Sequence, residues 1–172
     1  TIDKIKFTPW DANEDMNWKT SLQKNYTDGI IVLHKGEIVY ENYFGALKPD
    51  GIHAVMSVSK TLTGTLGALL VDEGVLDENK TASHYVPELK NSAFGDATIR
   101  QILDMTTALQ YSEDYADPNA EVWAFSYSKY YYDYLETVKK KGVDGEAFGY
   151  KTINTDAIGW IISRTTGKSI PE

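Results

Sequence analysis

The hydrophobic pattern changes period once along the chain, from strand-like near the N-terminus to helical over most of the remainder. Residues 1–28 are polar and irregular, with Trp10 and Trp18 placed to anchor the segment and a short helix expected over Trp18–Lys24. The runs Ile30-Ile31-Val32-Leu33 and Ile38-Val39-Tyr40 flank a tight turn at Gly36, which predicts a β-hairpin. Phe44-Gly45 and Pro49-Asp50-Gly51 are turn signals that close it. Leu62, Leu66, Leu69 and Leu70 then recur at helical spacing within 56–73, and Gly74 follows as a stop. Gly64, Thr65 and Gly67 inside that helix predict close packing against another element. The segment 77–89, with Pro87, reads as a loop.

Three more helices follow. Thr98 caps one over 99–106, with Ile99, Ile102 and Leu103 inward. Residues 110–119 read as an acidic, aromatic loop. A helix over 130–141 ends on Lys139-Lys140-Lys141, cations that suit the negative end of its dipole. The last spans 154–166, with Ala157, Ile158, Ile161 and Ile162 inward and Gly167 as its stop. The crowded tyrosines at 130–132 and 134 read first as core, and second as a groove for organic ligands.

Composition narrows the function classes. At 172 residues the chain is one ordinary domain or part of one, and 42% hydrophobic with 24% charged residues is a globular balance. Its net charge of −8 argues against nucleic acid and anionic membranes as partners. With no cysteine there are no disulfides, thiolate metal sites or cysteine nucleophiles. No apolar run reaches the roughly 20 residues of a spanning helix. His34, His53 and His84 lack ligand spacing, and no cofactor is expected. Gly167-Lys168-Ser169 lacks the earlier glycine of a phosphate loop, and there is no Gly-x-Ser-x-Gly elbow.

The chemistry concentrates at Ser57-Val58-Ser59-Lys60, where a serine precedes a lysine by three residues at the start of a helix. Positions i and i+3 share a helix face, so the lysine reaches the hydroxyl. A serine hydroxyl is a weak nucleophile until a base takes its proton. Lysine serves only if its pKa is lowered, and a tyrosine phenolate can share the task. Tyr150, in Phe148-Gly149-Tyr150-Lys151-Thr152-Ile153-Asn154, a loop entering the last helix, is a candidate to face the Ser57–Lys60 pair, though taken alone it reads as a half-buried tyrosine with a satisfied hydroxyl. Asn154 is a candidate to orient Lys60 or an acyl carbonyl.

These residues resemble the class C-like β-lactamase and family VIII esterase family, and within it the 6-aminohexanoate-dimer hydrolase branch. The resemblance rests on Met56-Ser57-Val58-Ser59-Lys60, Tyr85-Val86-Pro87-Glu88-Leu89, Ile102-Leu103-Asp104-Met105 and Tyr150 through Asn154-Thr155-Asp156. Tyr111-Ser112-Glu113-Asp114-Tyr115-Ala116-Asp117-Pro118 points to that branch in particular. It implies an α+β fold of the β-lactamase/transpeptidase type, an antiparallel sheet flanked by helices. Ser57 becomes the nucleophile, Lys60 and Tyr150 the proton-transfer pair, and the Ser57 backbone N–H one half of an oxyanion hole. Tyr115 and Asn154 become substrate-binding residues.

The implied reaction is hydrolysis of a small linear amide or an ester through an acyl-enzyme on Ser57. The alternatives are a carboxylesterase or penicillin-recognising peptidase on the same scaffold, or a non-catalytic remnant or binding module. The implied partner is a small-molecule amide or ester, with room for a homodimer, in a soluble cytoplasmic or periplasmic protein. Where many relatives have Tyr-Ser-Asn, this chain has Tyr150-Lys151-Thr152, with the asparagine moved to Asn154, which favours linear amides over penicillins. Such enzymes continue for roughly as long again, beyond one domain's usual size. Residues 1–172 are therefore expected to be the N-terminal portion of the domain, a hairpin over 29–45 and a helical region over 56–172, without the C-terminal part of the sheet.

Overall fold

A computed structural model of the protein describes residues 4–172. It forms two compact units, Thr1–Val55 and Met56–Glu172. Strands are confined to the first and helices dominate the second, the segregation of an α+β chain.

In the first unit, two-residue strands β1 (Lys6–Phe7) and β2 (Met16–Asn17) pair antiparallel. They lie in the stretch expected to be irregular, whose residues 1–3 fall outside the described residues. Helix α1 spans Trp18–Lys24, as the pattern predicts. Asn17 caps it, its side chain accepting a hydrogen bond from the Thr20 N–H at 2.9 Å. Strands β3 (Gly29–His34) and β4 (Glu37–Tyr43) form the predicted antiparallel hairpin. Its two turn residues, Lys35 and Gly36, both have positive φ (52° and 83°), the geometry that matches the twist of the flanking strands. Trp18 packs edge-on against Tyr40, 6.2 Å between ring centres. Trp10 anchors nothing: it sits in a turn and is 97% exposed.

In the second unit, a short 3₁₀ turn (Met56–Val58) runs into α2 (Ser59–Asp72). The segment 77–89 is less irregular than its proline suggests, holding α3 (Ala82–Tyr85) and the start of a 3₁₀ turn over Pro87–Asn91. Pro87 opens that turn, a position where its missing N–H costs nothing. Helix α4 (Ile99–Leu103) carries a full capping box, Thr98 and Gln101 each bonding the other's backbone N–H. It ends three residues early because Met105 turns left-handed, with φ +53°.

Helix α5 (Glu121–Ser126) has no counterpart in the sequence reading. Helix α6 (Tyr131–Thr137) is shorter than the expected 130–141. Val138 leaves helical geometry, and the lysines run extended against residues 108–110: Gln110 N–H donates to the Lys139 carbonyl and Lys141 N–H to that of Ala108. Lys139-Lys140-Lys141 is thus not a helix cap. Lys140 instead bridges Asp96 and Asp144. Non-local pairing has overridden a favourable local dipole.

Helix α7 (Thr152–Thr166) is the hub, packed by α2, α3, α4 and α6 and stopped by left-handed Gly167 (φ +72°). Ile153, Ala157, Ile158, Ile161 and Ile162 are all buried, each large one contributing about 1.5–3 kcal/mol of transfer free energy. Gly67 lets α2 close on this core. A Cβ there would lie 3.2 Å from Leu103 Cδ2 and 3.4 Å from Ile158 Cγ2. Gly64 meets nothing within 4 Å and so has no packing role. Leu70 is buried on α2, but Leu62 and Leu69 are exposed.

Candidate active site

Ser57 lies in the 3₁₀ turn before α2, and Lys60 is the second residue of that helix. Lys60 Nζ donates to Ser57 Oγ at 2.9 Å, so the i, i+3 reach expected from the sequence is realised. Met56, just before the serine, has φ +47°, a left-handed conformation that costs a side-chain-bearing residue on the order of 1–2 kcal/mol. The chain therefore bends sharply as it delivers Ser57 to the helix.

Both residues open on a cavity of about 280 Å³ that Tyr150, Asn154 and Thr155 also line. Ile102, Leu103 and Ile158 give it an apolar floor. The Tyr150 ring centre is 5.8 Å from Lys60 Nζ, within cation–π reach, and the ring remains 46% exposed to incoming molecules.

Two segments far apart in sequence fix Tyr150. Gly149 N–H donates to the Met105 carbonyl at 2.9 Å, and Lys151 Nζ to the Thr107 carbonyl at 3.4 Å. Glu113 then caps α7, accepting from the Thr152 backbone N–H and, at 2.5 Å, from its hydroxyl. A carboxylate at a helix N-terminus also meets the positive end of the dipole.

Asn154 is 1% exposed, and its Oδ1 accepts from the Thr107 hydroxyl at 2.7 Å. Its Nδ2 is enclosed and has no partner. Tyr115 is the candidate that stays apart. It does not line the cavity, is 59% exposed, packs edge-on against Trp123 and donates from its hydroxyl to Glu113 at 3.2 Å.

Sequence reasoning gave no role to Thr107, Glu113 or Asp156. Glu113 and Asp156 sit within stretches that carry the family resemblance, but the contact of Glu113 with Thr152 spans 39 positions and the charge that bears on Asp156 is Lys60 of another helix. Asp156 Oδ2 is enclosed without a hydrogen-bond partner. Burial pushes its carboxyl up to about 6, against the pull of the nearby Lys60 charge and with a further push from Glu113. Burial likewise drives the Tyr111 phenol far above its ordinary range. The tyrosines at 130–132 are exposed rather than core. With Asp133, Thr155 and Asp156 they line a second cavity of about 600 Å³.

Residues 22–172 match the β-lactamase family model. The chain is 38% identical over 157 residues to a 6-aminohexanoate-dimer hydrolase of Paenarthrobacter ureafaciens, covering 85% of this chain and 40% of that protein. A solved structure described as a candidate 6-aminohexanoate-dimer hydrolase from Bacillus anthracis superposes with a TM-score of 0.84 at 32% identity, over all of this chain and 48% of that one. A class C β-lactamase shares the fold at a TM-score of 0.64 and 24% identity, over 88% of this chain and 43% of its own. The chain thus spans less than half the length of these relatives. Among the described residues, no helix is long and apolar enough to cross a membrane.

Proposed function

The chain belongs to the β-lactamase family, and from that premise we propose that it is a serine hydrolase of small linear amides or esters, acting through an acyl-enzyme on Ser57. The observation that carries this reading is the 2.9 Å contact between Lys60 Nζ and Ser57 Oγ, with Tyr150 across the same cavity. Ser57 Oγ attacks the carbonyl carbon while its proton passes to the coupled Lys60–Tyr150 pair. The backbone N–H of Ser57 meets the developing oxyanion. As the C–N or C–O bond breaks, the pair returns the proton to the leaving amine or alcohol. Water then attacks the acyl carbon and gives a proton to the pair; the bond between that carbon and Ser57 Oγ breaks, the pair returns the proton to Oγ, and the carboxylic acid leaves.

A linear amide is the favoured substrate. The apolar floor of Ile102, Leu103 and Ile158 suits an aliphatic segment, and the relative from Paenarthrobacter ureafaciens is a 6-aminohexanoate-dimer hydrolase. We assign Asn154 the part of orienting the substrate carbonyl, a reading supported by its place in the cavity lining and by an enclosed Nδ2 that has no protein partner. Tyr115 would contribute from the loop outside the cavity.

Mass spectrometry after exposure to a fluorophosphonate tests the nucleophile. The expected result is a single adduct on Ser57, absent from Ser57→Ala; an intact protein that takes no adduct at Ser57 refutes the proposal. Comparing turnover of 6-aminohexanoate dimer, p-nitrophenyl butyrate and a chromogenic cephalosporin then separates amidase, esterase and lactamase readings.

A further inference from the structure

The proton-transfer pair gains a positive charge when it takes the Ser57 proton, and a carboxylate nearby stabilises such a charge. Asp156 is the carboxylate placed to answer it. It sits on α7 beside Thr155, which lines the Ser57 cavity, and itself lines the second cavity together with Thr155 and with Thr63, three residues after Lys60 on α2. Its enclosed Oδ2 is committed to no hydrogen bond, and it is close enough to Lys60 for their charges to interact. Lys60 spends a hydrogen bond on Ser57, so the carboxylate acts on it through space.

We infer that Asp156 is a positioning residue for the Ser57–Lys60–Tyr150 site, its carboxylate offsetting the positive charge that the Lys60–Tyr150 pair gains on taking the Ser57 proton. The role is the one an aspartate plays behind a catalytic histidine, stabilising the charged acceptor without itself taking the proton. The inference rests on Ser57 being the nucleophile.

The other titratable groups around Asp156 act in different directions. Tyr111 and Glu113 approach from the segment before α5. Glu113 opposes ionisation of Asp156, while buried Tyr111 stays a neutral phenol through the neutral range. Lys129, Asp133 and the tyrosines at 130–132 face it across the second cavity, where Lys129 stands over the Tyr130 ring. Lys60 is the cation that bears on the Asp156 carboxyl. With burial holding that carboxyl at about 6, it is the neutral acid below this pH and the anion above it.

The test is the rate of fluorophosphonate labelling at Ser57 between pH 5 and 8, read by mass spectrometry. In that reaction the Ser57 O–H bond breaks, an O–P bond forms, fluoride leaves and the proton goes to the Lys60–Tyr150 pair. The wild-type maximal labelling rate should rise through about pH 6 as Asp156 ionises. Asp156→Asn should remove that step and lower the maximal rate at pH 7.5 by about tenfold, the equivalent of one pK unit of coupling. The probe concentration for half-maximal rate should stay unchanged, and Asp156→Glu should restore the step. Should Asp156→Asn lack a cooperative melt, Asp156→Ser answers the same question.

A variant that keeps both the pH step and the wild-type rate overturns the inference and leaves Ser57 as nucleophile. A wild-type protein that takes no label at Ser57 overturns both.

Discussion

The substitution Asp156→Asn keeps the shape of the native side chain and removes its charge, which makes it a test of folding as well as of reactivity. Burial raises the folded-state carboxyl from its ordinary 3.8 to about 6, so the native fold prefers the neutral acid. The stability this group contributes is therefore fully present below about pH 3.8, is lost as pH rises through about 6, and stays lost above. A shift of roughly two units corresponds to about 3 kcal/mol, and the part of the carboxylate that still meets solvent reduces this to about 1–3 kcal/mol.

Removing the charge should recover that amount at pH 7.5 and only a few tenths of a kcal/mol, roughly, at pH 4. With a urea m-value of about 2 kcal/mol/M, the midpoint followed by far-UV circular dichroism should rise by about 0.5–1.5 M at pH 7.5. A lower midpoint at pH 7.5, or an equal gain at both pH values, would refute the reasoning. Combined with the labelling experiment, the same variant should be more stable and less reactive, the trade expected where a site keeps a costly buried charge.

Two further substitutions probe how the site is held. Thr107→Val keeps the side-chain shape but leaves Asn154 Oδ1 buried without a donor, and should cost about 1–3 kcal/mol in the same urea titration. Gly67→Val drives a branched side chain into the space 3.2 Å from Leu103 Cδ2, and should cost about 1–3 kcal/mol in thermal or urea melts. A neutral result at either position would show that α2 or Asn154 has more room to adjust than the packing allows.

Elements whose local and non-local preferences agree were legible in the sequence. Helix α1, the β3–β4 hairpin, the Thr98 cap and the Gly167 stop follow from signals within a few residues. Ser57 and Lys60 are readable for the same reason, since one helical turn joins them. Tyr150 and Asn154 were only weak candidates from the residues alone and took their proposed roles from the family resemblance, because their places depend on Met105, Thr107 and Glu113.

The misreadings share a cause. Lys139-Lys140-Lys141 suits a helix end until Gln110 and Ala108 offer it an extended partner. The tyrosines at 130–132 have core composition, but they stand at a cavity wall. Asp156 gave no local clue, because the effect of a buried carboxylate depends on a lysine of another helix.

The 3-residue spacing of Ser57 and Lys60, against the long loop that brings Tyr150 to them, divides the site by contact order. The serine–lysine contact closes as soon as one helical turn forms, on the sub-microsecond scale of helix nucleation. Tyr150 arrives only after α4 and α7 have found each other, and such non-local closure sets the pace of folding. Drift in the core around Leu103, Ile158 and Ile162 therefore reaches the site through the tyrosine while the serine–lysine spacing stays put. Random mutation of this helical unit should first yield proteins in which the Ser57–Lys60 contact is intact and Tyr150 is misplaced.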